Sequence, residues 1–253
     1  MGKLQRRQQK RNGSRNSRRN SVDNIYSITN GEPFNMKEFA QVKGKTLSAM
    51  NSEQQTYINA IKNHDTTVCL GAAGSGKTFV PAALAGTELA AKRIERVILI
   101  RPNEPLGTSL GMLPGDLKEK LKPWLAPISE GLLYSMGKGF YEYCVENEKI
   151  EFVAVEHVRG RTFNDAYVIV DEAQNLSVEA IAAITTRQGT NCKMIICGDV
   201  AQKDIKKKSG LALLADITEE YERIPFSTVE LKKCVRSETA AAFLSIYQEK
   251  GIM

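Results

Sequence analysis

Several things are scarce in this chain, and each scarcity closes off a class of function. No apolar run approaches the roughly 20 residues that would span a bilayer. The opening MGKLQRRQQK has no apolar segment behind its charges, so it does not read as a secretory leader. Histidine occurs twice, at His64 and His157, and the five cysteines (69, 144, 192, 197, 234) contain no C-x-x-C pair, which argues against a zinc site. Three of those cysteines sit in apolar runs, the pattern of reduced core residues in a cytoplasmic protein. Tryptophan occurs once, at Trp124, where it either fills the core or stacks on a base.

Acid is missing from residues 1–20, which hold eight Lys or Arg. The whole chain has 35 basic and 29 acidic residues, so the remainder (35 less 8, against 29) carries a net charge of −2. The basic character therefore belongs to a polar tail, residues 1–22, which is expected to be disordered alone. It serves either nucleic-acid binding or solubility. Residues 23–50 form a weakly patterned extension expected to be irregular, and 51–253 the folded domain. At 253 residues, 42 % apolar and 25 % charged, the composition allows one α/β domain with a sizeable core.

Residues 68–78, VCLGAAGSGKT, carry the G-x-x-x-x-G-K-T spacing after an apolar run and before a helix-forming segment. In that context Gly71, Ala72, Ala73, Gly74, Ser75 and Gly76 form a loop whose backbone N–H groups converge on phosphate. The positive end of the following helix adds to that field. Lys77 reaches the β- and γ-phosphates and Thr78 supplies a hydroxyl to Mg²⁺. Pro81 lacks the hydrogen bond to the Lys77 carbonyl and is expected to kink that helix. Upstream, Asn51 caps SEQQTYINAIKN with a capping-box-like Gln54, whose amide either matches adenine N6 and N7 or is an ordinary surface group.

AYVIVDEAQN (166–175) delivers Asp171 and Glu172 from the end of a buried parallel strand. Beside a phosphate loop, Asp171 holds Mg²⁺ and Glu172 orients and deprotonates the attacking water, with Gln174 sensing the γ-phosphate or that water. CKMIICGD (192–199) repeats the strand-to-carboxylate device, followed by Gln202 and the lysines 203, 206, 207 and 208. Arg159 and Arg161 follow the strand IEFVAV and meet either phosphate or an acidic neighbour. Arg236 follows the last strand, near 228–231. Asp116 is placed to cap a helix through LKEKLKPWLAPISEGLLYSM, which Pro123 and Pro127 are expected to break. His157 is read as a structural hydrogen-bonding residue.

GAAGSGKT, RPNEPLGTSLGMLPGDL, EHVRGRTFNDAYVIVDEAQN, IICGDVAQKDI and CVRS together resemble the PhoH-like ATPases, a phosphate-starvation-inducible family of bacteria and their phages. The resemblance covers about residues 50–250. It implies an α/β fold, a single RecA-like P-loop NTPase domain with a mostly parallel central sheet, similar to the motor domain of superfamily 1 helicases. On that likeness Gln54 reads adenine, Asp171 and Glu172 are the Mg²⁺ and catalytic acids, Gln202 couples hydrolysis to the grip, and Arg236 is the late arginine. It further implies ATP and Mg²⁺ as cofactors, single-stranded nucleic acid (RNA foremost) as a partner, and no membrane. A lone motor domain leaves its γ-phosphate side open, so a homo-oligomeric ring, six subunits by resemblance, is expected to close it with Arg159, Arg161 or Arg236. Thr108-Ser109 stand where the family pattern has Gly-Glu. ATP is preferred to GTP because no N-K-x-D guanine motif follows Asp171. A nucleotide-gated scaffold with slow hydrolysis, and a small-substrate kinase, are the other classes the motifs leave open.

Overall fold

Six short runs rich in β-branched and aliphatic residues become the strands of one sheet. In a computed structural model, which describes residues 25–26, 33–34, 44–102, 117–200, 209–221, 223–235 and 237–250 (backbone alone at 25–26, 33–34, 117–124, 241, 244 and 248), the chain divides into Met1–Lys43 and Gly44–Met253. The first unit contributes one short antiparallel pair, β1 (Ile25–Tyr26) and β2 (Pro33–Phe34), where no regular structure was expected.

In the second unit the order of elements is α1 (Ser52–Asn63), β3 (Thr66–Gly71), α2 (Phe79–Ala90), β4 (Arg96–Arg101), α3 (Leu117–Met136) and α4 (Lys138–Glu146). There follow β5 (Ile150–Ala154), β6 (Ala166–Val170), α5 (Val178–Thr185), β7 (Cys192–Gly198), α6 (Gly210–Glu220), β8 (Ser227–Leu231) and α7 (Glu238–Glu249). The strands lie in the order β5-β4-β6-β7-β3-β8, and every pair is parallel. Alternate residues of each strand face opposite layers. Val97, Leu99 and Ile169 join the core beneath α1, α2 and α3, whereas Ile98, Ile100 and Val168 join the one beneath α5 and α6. A sheet covered on both faces explains the uninterrupted apolar runs, and all six carboxyl ends open on the same edge, where such sheets bind ligands.

Pro81 lacks the N–H for the Lys77 carbonyl, as expected, and does not interrupt α2. It is the third helical residue, in the first turn where proline is tolerated, and the bonds Val80 N–H to Gly76 O and Ala82 N–H to Thr78 O flank it at 3.0 and 3.3 Å. One helical expectation needs correction: the segment after 116 is not split, because α3 runs unbroken for 20 residues through both of its prolines. Leu125, Ile128, Leu132 and Met136 form its buried stripe. Gly131 lets it lie on α2 so closely that an added Cβ would stand 2.6 Å from the Phe79 carbonyl. Apolar burial along that seam outweighs the lost backbone bonds.

Candidate functional site

The phosphate loop leaves β3 at its carboxyl end. Gly74 and Gly76 take φ of +76° and +92°, a region costly for residues with a Cβ, and a Cβ on Gly76 would stand 2.8 Å from Gln54 Nε2. The loop is pinned from three sides. Gln54 Nε2 donates to the Ser75 carbonyl at 3.0 Å, Val235 N–H donates to the Gly74 carbonyl at 2.9 Å, and Ala72 N–H reaches the Leu231 carbonyl at 3.4 Å. Lys77 Nζ lies 3.4 Å from the Ala72 carbonyl, folded back along its own loop. Among the described residues, the N–H groups of Gly76, Lys77 and Thr78 donate to no carbonyl. This is the condition a phosphate-binding turn requires.

The carboxylates arrive from β6, two strands away. Thr78 Oγ1 donates to Asp171 Oδ1 at 2.8 Å across 93 residues of sequence. Glu172 sits at φ 51° and ψ 39°, a left-handed conformation uncommon for a side-chain-bearing residue, which turns the chain sharply after Asp171. Buried Gln174 fixes its carboxylate: Nε2 donates to Glu172 Oε2 at 2.6 Å, while Gln174 Oε1 accepts from Asp199 N–H at 3.1 Å. The end of β7 is thereby tied to the end of β6. Burial pushes the Asp171 carboxyl above its ordinary value, and the adjacent Glu172 adds to this; the Thr78 hydroxyl, Arg101 and Lys77 oppose it.

Arg101, at the carboxyl end of β4, belongs to this cluster as well. Its guanidinium spans both acids, at 4.0 Å from Asp171 Oδ2 and 3.5 Å from Glu172 Oε1. The signal that finds it is strand order: β4 pairs with β6, and Ile100 O accepts from Asp171 N–H at 2.9 Å.

These groups border a cleft of about 700 Å³, within the size range of small-molecule sites. Its far wall, also unmarked in the sequence, comes from Leu47, Met50, Phe79 and Tyr134. Phe79 and Tyr134 meet edge to face at 5.6 Å, and Lys45 N–H and Thr46 O bond the chain before α1 to Tyr134. Residues 44–50 thus pack with the folded unit, at the wall of its cleft.

Gln54 is buried, not on the surface. Asn51 Oδ1 accepts from its N–H at 2.9 Å as the helix cap, but its own Oε1 accepts from Met50 N–H at 2.9 Å, one residue before the expected cap. With Nε2 on Ser75, the amide retains one N–H and one lone pair. Arg161 makes the acidic-neighbour choice. It pairs with Glu151 Oε2 at 2.8 Å and lies over the Phe163 ring, beside an Arg96–Glu151 contact of 3.3 Å. Arg159 and His157 are exposed beyond β5, the edge strand of the sheet. Gln202, Arg236, Lys203–Lys208, Thr108, Ser109 and Asp116, the tail, and the Trp124 side chain lie outside the described residues.

A hydroxyl beside a carboxylate is an oxygen donor set that suits Mg²⁺, which takes one or two protein oxygens and fills the rest of its shell with water and phosphate. Among the described residues no group of three or more His, Cys, Asp or Glu could hold a metal by itself. No helix among them is long and apolar enough to cross a membrane.

Residues 46–248 match the family described as PhoH-like protein. The chain is 37 % identical over 208 residues to a PhoH-like protein of Synechocystis, covering 81 % of this chain and 63 % of that one. It is 37 % identical over 211 residues to a PhoH-like protein of Bacillus subtilis, covering 83 % and 66 %. It therefore spans just under two thirds of the length of these curated relatives. Among solved structures, the Pif1 helicase from Candida albicans aligns with 80 % of this chain and 44 % of its own at 15 % identity and a TM-score of 0.42, a likeness too low to inform function.

Proposed function

We propose that this chain, which belongs to the PhoH-like protein family, binds ATP with Mg²⁺ and hydrolyses it in the cleft above the phosphate loop. The observation that carries the reading is the 2.8 Å contact of Thr78 with Asp171. Two residues distant in sequence, each required at a metal–phosphate site, meet at the mouth of a loop with free N–H groups.

In this reading the loop N–H groups and Lys77 hold the β- and γ-phosphates. Mg²⁺, when held by Thr78 and Asp171, neutralises charge on the phosphate oxygens. Glu172 orients a water and takes its proton as the water oxygen bonds to the γ-phosphorus. The bond to the bridging oxygen breaks, and ADP and phosphate leave. Gln174 and Arg101 keep the Glu172 carboxylate in place for that transfer. The spare N–H and lone pair of Gln54 match adenine N7 and N6, which favours ATP over GTP.

Coupling to single-stranded nucleic acid, RNA foremost, rests on the basic tail and Lys203–Lys208. A homohexameric ring would close the open side of the cleft, with Arg159, exposed past the edge strand, as the arginine donated in trans. Arg161 is already paired to Glu151, so it is the weaker candidate. A cytoplasmic setting fits the unpaired, buried Cys69, Cys144, Cys192 and Cys197.

Phosphate release with and without single-stranded RNA tests the coupling: stimulation supports it, and a flat response removes it. Mixing the Lys77→Ala protein with the Arg159→Ala protein tests the shared site. Recovered turnover supports a ring with its arginine in trans, and no recovery refutes it.

A further inference from the structure

Proline at position 81 removes one rung of the α2 ladder, the N–H that would bond the Lys77 carbonyl, while the rungs on either side are made. That carbonyl is nevertheless satisfied from outside the helix. Tyr57 Oη, on α1, donates to it at 2.9 Å, and Cys197 Sγ, on β7, donates at 3.1 Å. Both donors are wholly buried. Burial pushes the Tyr57 hydroxyl and the Cys197 thiol well above their ordinary values, so both keep their protons as donors.

The carbonyl and N–H of a trans peptide point in opposite directions. Drawing the Lys77 carbonyl into the core therefore turns the Thr78 N–H outward, toward the cleft lined by Gly76, Lys77 and Thr78. We propose that Tyr57 is a positioning residue for the phosphate loop, its hydroxyl standing in for the helix N–H that Pro81 lacks and setting the plane of the Lys77–Thr78 peptide that faces the nucleotide phosphates. This rests on the reading of the cleft as a nucleotide site. It adds to that reading a requirement linking a residue in the helix before β3 to a proline in the helix after it.

A tyrosine that merely fills the core would show no dependence on residue 81. Tyr57→Phe, Pro81→Ala and the double variant separate the two cases, read as the affinity for a fluorescent ADP analogue with Mg²⁺, well below each melting temperature. Tyr57→Phe should weaken binding about three- to tenfold, the worth of one hydrogen bond. Pro81→Ala alone should stay within about twofold of wild type. In the double variant the introduced alanine supplies the missing N–H, and affinity should return to within about twofold of wild type.

A double variant as weak as Tyr57→Phe overturns the proposal, as does a Tyr57→Phe protein that binds like wild type. Absence of binding in the wild-type chain overturns the nucleotide reading, and this proposal with it. Should Tyr57→Phe fail to fold, Cys197→Ala replaces it in the same cycle, with the same loss and the same recovery by Pro81→Ala expected. A loss that Pro81→Ala leaves unrepaired refutes the idea there too.

Discussion

In the proposed reading Asp171 is a buried charge that the fold carries for the sake of a ligand, and Asp171→Asn should expose that conflict. The carboxyl is 2 % exposed beside Glu172, and burial with that neighbour raises its pKa. Asparagine keeps an acceptor for the Thr78 hydroxyl and gives up a 4.0 Å contact with a partly exposed Arg101 and the longer-range attraction of Lys77. A contact of that kind is worth under about 1 kcal/mol. Relief of the buried charge should win, so the nucleotide-free Asn variant should melt above wild type.

Because the folded carboxyl holds its proton more tightly than the unfolded one, the penalty is absent below the ordinary Asp value of about 3.9. It grows as pH rises through the raised folded value and is complete above it. The gap between variant and wild type should widen over that interval and then level off.

Mg²⁺ with ADP at about 100 times its dissociation constant should stabilise wild type by about 2.7 kcal/mol. That is about 5–11 °C for a domain of this size. The Asn variant, short of one metal oxygen, should gain less than about a third of that, so its lead over wild type should shrink by about 1.8 kcal/mol or more on adding nucleotide. Scanning calorimetry with and without Mg²⁺–ADP reads both limbs. A variant that melts below wild type without nucleotide refutes the buried-charge argument, and equal gains in the two proteins refute Asp171 as a metal oxygen.

Gln54→Ala strips the partners from the Met50 N–H and the Ser75 carbonyl, so stability should fall by about 1–3 kcal/mol and the preference for ATP over GTP in competition binding should shrink. An unchanged preference assigns Gln54 to the loop alone. Arg161→Ala breaks a pair with Glu151 whose members are 35 % and 22 % exposed, and should cost about 1 kcal/mol or less in urea unfolding without changing turnover by more than about twofold. A loss near the ~10³-fold typical of an arginine finger would return it to the reaction.

The strands were legible because a parallel sheet covered on both faces demands unbroken apolar runs, and 97–100, 166–170 and 193–197 leave almost no other choice. The strands β4, β6 and β7 hold those three runs and reach at most one residue beyond either end. The cap at Asn51 was legible for the same reason of short range: its side chain accepts the Gln54 N–H, three residues on. The unbroken α3 was not, since its prolines argue locally for a break and only its packing on α2 argues against one. Arg101 and Tyr57 mark the same limit at the site. Arg101 meets Asp171 only because β4 pairs with β6, and Tyr57 meets Lys77 only because α1 folds over the loop. Neither adjacency has a period or a spacing in the sequence. The choice at Arg161 turns on which of two partners, phosphate or Glu151, the sheet edge supplies, and the pairing with Glu151 is set by the fold.

The central claim is that Glu172 is the base of an ATP hydrolysis performed in this cleft. Glu172→Gln keeps the volume and the contact with Gln174 while removing the ability to accept a proton. Binding of ATP with Mg²⁺ and single-turnover release of phosphate should be measured on the same preparation, beside wild type and Lys77→Ala. The expected result is unchanged ATP affinity with release slowed about 10²-fold or more in Glu172→Gln, and loss of both binding and release in Lys77→Ala. Phosphate release at the wild-type rate from the Glu172→Gln protein contradicts the account.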